Sequence, residues 1–448
     1  MLFWDNQSII KNTQYCELTN TKENKKTFTF ALMLAILYPF GALIYTLWHW
    51  RENWAKNIFW IVCIYMGTVH VYWPEGTYLG AGADGGRHVL RLIEWHNLGY
   101  SLSTILENYL VDQHTMDLYQ QLVTWAVAKV TDNGHVMFTV FAIVFGYFYS
   151  RNIWYILEKL PENIPVQFFI LFTLFFLISP IYHINGARMW TALHIYVYAF
   201  MPYLLENDKK RLWLLLLTPL IHFSYLYVMV FAYGYALLPY TFKIKNNGVL
   251  WYALILFVIS LFINSLNLNT VADVLVEYSP DAYSNRIEGY VNQNVLDRNL
   301  ERLSLNNWYV AGSSQVKFWC YSLLLLVLLP CLQKHFKQYA ALKHWYIFTL
   351  LLGALANIMS LIPSGGRFQI LAQMFNVSFI LIIITRIPKN ETIYRIINMI
   401  LLILIIPFIV DIRKILDYYS ITLLLGNFIT VFVWENNVQL ITYIKILV

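Results

Sequence analysis

Apolar runs near 20 residues long recur along the chain from residue 28 to 434, separated by short polar breaks. A helix needs about 20 such residues to cross a hydrocarbon layer of about 30 Å. The pattern predicts spans at 28–49, 57–73, 134–151, 164–182, 187–205, 211–223, 225–240, 249–267, 316–332, 345–362, 368–385, 396–410 and 418–434. The pair between 211 and 240 is short: two helices of about 14 residues reach only ~21 Å, which suggests half-depth helices around Pro219 to His222. Two longer, more polar segments interrupt the series, 74–133 and 268–315. Within the first, "TMDLYQQLVTWAVAKVT" places Leu118, Leu122, Trp125 and Ala126 on one face, as in a helix lying at a membrane interface. The second has helical spacing with interleaved tyrosines and arginines. Both are expected to cover an outward-facing cavity. The fold class is thus all-α, a polytopic transmembrane bundle of about 11–14 helices. It forms one integral unit over residues 1–448, with a polar tail at 1–27.

Charge sets the orientation. Arg51 and Lys56, Arg151 and Lys159, Lys209 to Arg211, Lys243 and Lys245, Lys334, Lys337 and Lys343, and Arg386, Lys389 and Arg395 fall in alternate short loops, which are expected on the cytoplasmic side. Segments 74–133 and 268–315 then face outward. Lys22, Lys25 and Lys26 conflict with this scheme. Either the tail is an exception, or residues 28–49, broken by Pro39 and Gly41, do not cross as one helix.

Composition agrees: of 448 residues, 59% are hydrophobic, 17% aromatic and only 12% charged, which excludes an ordinary soluble domain. The polar opening of 26 residues lacks the pattern of a cleavable signal, so the first membrane helix is expected to direct insertion. Cys16, Cys63, Cys320 and Cys331 show no disulfide or zinc spacing and read as small apolar residues. "GAGADG" at 80–85 matches GxGxxG but follows a membrane span, so the dinucleotide-binding context is missing. No DxD, P-loop, HExxH or GxSxG pattern occurs, and no metal site, cofactor or nucleic-acid partner is expected.

Three arginines share one setting: Gly85-Gly86-Arg87, Gly186-Ala187-Arg188 and Gly365-Gly366-Arg367. The topology puts all three at the outer face. Glycines that turn successive N–H groups into one concavity make an anion-binding nest, and a guanidinium adds a fork matched to phosphate oxygens. The competing reading is that such arginines snorkel to headgroups while the glycines let helices pack. Arg188 is the strongest of the three, since "SPIYHIN" and "MWTALHI" offer it no water. Arg87 sits in a polar loop, where charge costs little. Asp84 either pairs with Arg87 or serves as a general base. His222 lies at a break at membrane depth, where a structural role competes with a catalytic one. His183, Asn185 and His194 surround Arg188. Arg91 and Arg286 are further substrate-binding candidates, although a solvated-surface reading stands against them, as it does against Glu75, Asp117, Arg298 and Arg302.

The order "GADGGRHVLRL", "DLYQQL", "FGYFYSRNIW", "NGARMWTALHIYVYAF", "NDKKR" and "IHFSYLYV" resembles the EpsG-like family of bacterial exopolysaccharide proteins, which includes Wzy-type O-antigen and capsule polymerases. The likeness covers about residues 28–245. Met189 stands where the family usually has glutamine and Phe223 where it has lysine. The resemblance implies a metal-independent glycosyltransferase of the bacterial inner membrane, with a helical plan similar to GT-C-type enzymes. Such proteins transfer a growing glycan from undecaprenyl diphosphate to the next lipid-linked oligosaccharide, and a chain-length regulator is a possible partner. Joined to that chemistry, the reading of the residues assigns Arg188 and Arg367 to the diphosphate, Arg87 to phosphate or a sugar carboxylate, and Asp84 or His222 to the acceptor proton. The alternatives are a flippase for lipid-linked oligosaccharides, which would more often show pseudo-symmetric halves, and a membrane acyltransferase.

Overall fold

In the computed structural model, the residues described are 21–72, 84–110, 117–161, 164, 168–263, 277, 308–335, 340–362, 365–385, 392–434 and 438–447. In chain order the first helices are α1 (Thr21–Leu37), α2 (Pro39–Trp48), α3 (Ala55–Thr68), α4 (Asp84–Leu98), α5 (Leu102–Leu110), α6 (Leu118–Ala128) and α7 (Gly134–Leu157). There follow α8 (Phe168–Leu177), a 3-10 turn at Ile181–Gly186, and α9 (Ala187–Glu206). Next come α10 (Leu212–Ile221), which begins as a 3-10 helix, α11 (Tyr225–Leu237), α12 (Tyr240–Lys245) and α13 (Asn247–Leu261). The last are α14 (Trp308–His335), α15 (Ala340–Met359), α16 (Arg367–Ile384), α17 (Thr392–Ile403), α18 (Ile405–Tyr418), α19 (Thr422–Leu425) and α20 (Leu440–Leu447). Among the described residues the one extended pairing is an isolated bridge between His70 and Tyr419.

Five stretches among the described residues are long and apolar enough to cross a membrane: Gly134–Leu157, Phe169–Glu206, Gly312–Pro330, Ala340–Met359 and Arg367–Ile384. Thr392–Ile403 and Ile405–Tyr418, bent by 40°, make a sixth if they form one broken span. The chain is a multi-pass helical membrane protein. It has fewer full crossings than the hydropathy pattern predicts, because several apolar runs fold as shorter helices, among them Leu212–Ile221, Tyr225–Leu237 and Asn247–Leu261. The first two are as short as the sequence reading expects. Where residues 418–434 were expected to cross, only α19 and a 3-10 turn form. The side chain of Asn427 accepts the Ile429 and Thr430 N–H groups at 3.0 and 3.1 Å, and Thr430 Oγ1 accepts that of Asn427 at 2.8 Å. Such local bonds compete with the helical ladder.

Residues 28–49 do not cross as one helix either. Proline at the start of α2 has no N–H to continue α1. The rings of Phe30 and Tyr45 meet at 5.1 Å, whereas one straight helix would separate them by ~22 Å. The chain therefore reverses between α1 and α2, and α1 begins at the end of the bundle where Arg51 follows α2. This resolves the conflict over Lys22, Lys25 and Lys26. A second reversal lies between α8 and α9, where His194 Nε2 comes within 3.1 Å of the Ser179 carbonyl oxygen.

Basic loops gather at one end. Lys56 pairs with Glu158 at 3.1 Å, Lys159 with Glu206 at 2.6 Å, and Arg151 donates to the Lys56 carbonyl at 3.0 Å. The α9 helix closes there on Asn207, whose φ of 54° is left-handed. Arg188 starts the same helix at the opposite end. Between the ends, α3 and α7 approach closely along small residues: a Cβ on Gly67 would overlap the Ala142 side chain. Gly67→Ala is expected to destabilise the purified protein by about 1–3 kcal/mol. Thermal unfolding in detergent measures it, and an unchanged melting temperature would show that the seam can open without cost.

Candidate functional site

Asp117 precedes α6 in an extended conformation but does not cap that helix with its side chain. The carboxylate instead reaches two other parts of the chain. Oδ2 accepts from Arg188 at 2.7 Å and from His222 Nδ1 at 3.1 Å, while Oδ1 accepts the Phe223 N–H at 2.9 Å. With 4% of its side chain exposed, Asp117 is no solvated surface residue, which corrects the sequence reading. The reason lies in α6, which turns Gln120, Gln121 and Thr124 inward and leaves Ala126 outside. Gln121 donates to the Asp117 carbonyl at 3.1 Å, so the buried face of this helix is polar next to Asp117. Burial alone would raise the Asp117 pKa. The hydrogen bond and charge of His222, the charge of Arg188 and the Phe223 N–H outweigh it and hold the group at about 2.

The three glycine-preceded arginines turn out to share a helix terminus rather than a loop nest. Arg87 lies in the first turn of α4, Arg188 in that of α9, and Arg367 opens α16. The sole positive-φ glycine among the described residues is Gly99, so the alternating conformation of a nest is absent at these sites and Arg87 is helical. A helix N-terminus carries partial positive charge and favours anions. An arginine placed there therefore calls for a negative partner. Arg188 has Asp117, yet with 34% of its side chain exposed it is not enclosed, against the expectation drawn from its apolar flanks; Arg87 pairs with Asp84. Arg367 is exposed and forms no ion pair among the described residues.

Other candidates converge on the same end. The side chain of Asn185 packs against Gly85, where a Cβ would overlap its oxygen, so the 3-10 turn at Ile181–Gly186 sits directly on the start of α4. Arg91 donates to Gln120 at 3.2 Å. Burial lowers its pKa, and so do the charges of Arg188 and Arg87. His88, between them, is pushed down to about 3 by burial first and then by Arg188, with Asp84 opposing. His183 stacks on Trp190 at 4.2 Å and shares a hydrogen at 3.2 Å with Ser179, while His194 is fully buried against Asn152 and Ser179. From His222 a run of rings leads through Tyr225, at 6.4 Å, to Phe368, at 5.8 Å, beside Arg367. Arg188 and Arg367 thus belong to the same end of the bundle. Arg286, Glu75, Arg298 and Arg302 lie outside the described residues. Among the described residues, no three His, Cys, Asp or Glu side chains come together as metal ligands.

The arrangement defines a helical, multi-pass membrane protein with arginines, histidines and carboxylates gathered at the end opposite its basic loops. The model of the EpsG family matches residues 95–432, well over half of the chain, and the chain belongs to that family. Membership points to a polysaccharide polymerase-like role. No curated protein and no solved structure matches the chain, so the expected likeness to GT-C enzymes rests on the helical plan alone.

Proposed function

We propose that this protein is a polysaccharide polymerase of the bacterial inner membrane. It would transfer a growing glycan from undecaprenyl diphosphate to the next lipid-linked repeat unit at the outer face. The observation that carries this reading is the buried Asp117 carboxylate, which ties Arg188, His222 and the backbone of Phe223 into one unit. An Nδ1–H donated to a carboxylate leaves Nε2 of a neutral imidazole with its lone pair, the arrangement of an oriented general base. In the proposed step an acceptor hydroxyl oxygen attacks the anomeric carbon of the donor glycan. The bond from that carbon to the diphosphate oxygen breaks, the diphosphate leaves with the bonding electrons, and His222 takes the hydroxyl proton. Arg188, with Arg87 nearby and Arg367 on the far side of Tyr225, would neutralise the charge that grows on the leaving diphosphate. Asp84, engaged with Arg87, would position that arginine rather than act as the base. Arg91, Asn185 and His183 would shape the cavity around the saccharide.

The test is direct. Purified protein in liposomes, given lipid-linked repeat units, should build a ladder of products, and cells lacking the protein should carry one repeat unit on the final lipid. Cells that carry none would indicate a flippase instead, and an acyl group lost from otherwise normal polymer would indicate an acyltransferase.

A further inference from the structure

Beside the Asp117 unit stands a second charged group that the proposed reaction does not use. Lys317, on α14, donates to Asp411 Oδ2 at 2.7 Å, and Lys414, one turn along α18 from that carboxylate, reaches Oδ1 at 3.2 Å. Arg413 pairs with Asp417 at 3.5 Å. Asp411 and Lys317 have 4% and 14% of their side chains exposed, while Lys414 has 31% and can be reached from outside. Among the described residues one buried carboxylate thus serves two lysines, and the neighbouring Asp417 is engaged by Arg413, so the group carries a net positive charge.

The surroundings separate this group from the first. His88 lies in the field of Arg188, Arg91 and Arg87, whereas His183 lies in the field of Lys414, Lys317 and Arg367. Between the two runs the 3-10 turn at Ile181–Gly186, whose Tyr182 stacks flat on Tyr418 at 4.8 Å. Tyr418 ends α18 and feels the charge of Asp84, so the two groups adjoin. Arg367 stands at the boundary. Along α18 before Lys414 the surface is apolar and uncovered: Ile406, Ile409 and Ile412 are exposed, and the exposed Met399, Leu402 and Ile403 continue it on α17 beyond the bend. An anion bound at Lys414 would therefore sit beside a face suited to lipid.

We propose that Lys317 and Lys414 form a second anion subsite, which holds the phosphate group of a second lipid-linked molecule while the Arg188 group holds the first. This rests on the polymerase reading, in which donor and acceptor each bear a diphosphate. The probe is farnesyl diphosphate bound to the full-length purified protein, with inorganic diphosphate as competitor. Wild type should bind about two equivalents and Lys414→Gln about one, while Lys414→Arg, which keeps the charge, should bind about two. Lys414→Gln leaves the buried Lys317–Asp411 pair in place, so folding should survive. Two equivalents retained by Lys414→Gln would overturn the subsite, as would a Lys414→Arg protein that behaves like it. One equivalent in wild type, lost in Arg188→Ala but not in Lys414→Gln, overturns the subsite and leaves the polymerase reading standing. No binding by wild type would sink both. Competition by inorganic diphosphate at equal concentration would show that the subsite reads phosphate alone, and weak competition that it reads phosphate with a lipid tail; either supports it.

Discussion

Asp117→Asn is expected to lower the rate of chain extension by about 10²–10⁴-fold, the range associated with a positioned acid or base. The amide keeps an oxygen for the Phe223 N–H but loses the charge that faces Arg188 and orients His222. The reconstituted ladder assay measures this, with His222→Ala as the comparison. If the two residues act as one base, the double variant should be little worse than either single one. Additive losses would show that Asp117 and His222 act separately. Stability should follow pH in a defined direction. The Asp117 pKa is held below its ordinary 3.8, at about 2, so its contribution to folding is fully present above about pH 4 and lost as pH falls toward 2. The gap in melting temperature between wild type and Asp117→Asn should close over that interval. A gap unchanged down to pH 2 would mean that the variant destabilises by repacking, not by loss of charge.

Arg188→Ala should have an effect of similar size for a different reason. Removing a donor aimed at developing negative charge typically costs about 10²–10³ in rate. It also leaves Asp117 with His222 as its one remaining side-chain partner. Arg188→Lys is the informative companion, because an ammonium restores the charge but not the planar two-point fork. We expect lysine to recover protein level and to leave the extension rate at least about tenfold down. Full-length polymer from both variants at normal protein level would remove Arg188 from the chemistry.

The chain's hydropathy showed that it is helical and membrane-bound, and the basic loops marked the end where Lys56, Arg151 and Lys159 gather. It could not show how many runs cross. An apolar run reads the same whether it continues through the bilayer or turns back, as it does at Pro39, since both outcomes bury apolar side chains. Arg188 was legible because a guanidinium in an apolar run demands a partner. The identity of that partner was not. Asp117 stands 71 residues away in sequence, in a polar segment where a carboxylate normally needs no explanation. Only the inward turn of Gln120, Gln121 and Thr124 removes it from water. The signal that could have found it is the pairing rule itself, which sends a cation set in an apolar run in search of a carboxylate beside an amphipathic helix. Lys317 was missed in the same way: its partner Asp411 lies 94 residues on, in another apolar run.

The two helices that meet at His222 have one further consequence. With 10 and 13 residues in Leu212–Ile221 and Tyr225–Leu237, they reach only about 18 and 20 Å of a hydrocarbon layer about 30 Å thick. Trp213, Leu216, Leu220, Tyr227 and Val230 are uncovered along them. The protein wall beside the imidazole is therefore low on this side, and the side chains uncovered along it are apolar or aromatic. Under the proposed function, a lipid-linked substrate would present its headgroup to the arginines with its tail still dissolved in the leaflet. Tail length should then matter far less to turnover than the headgroup does.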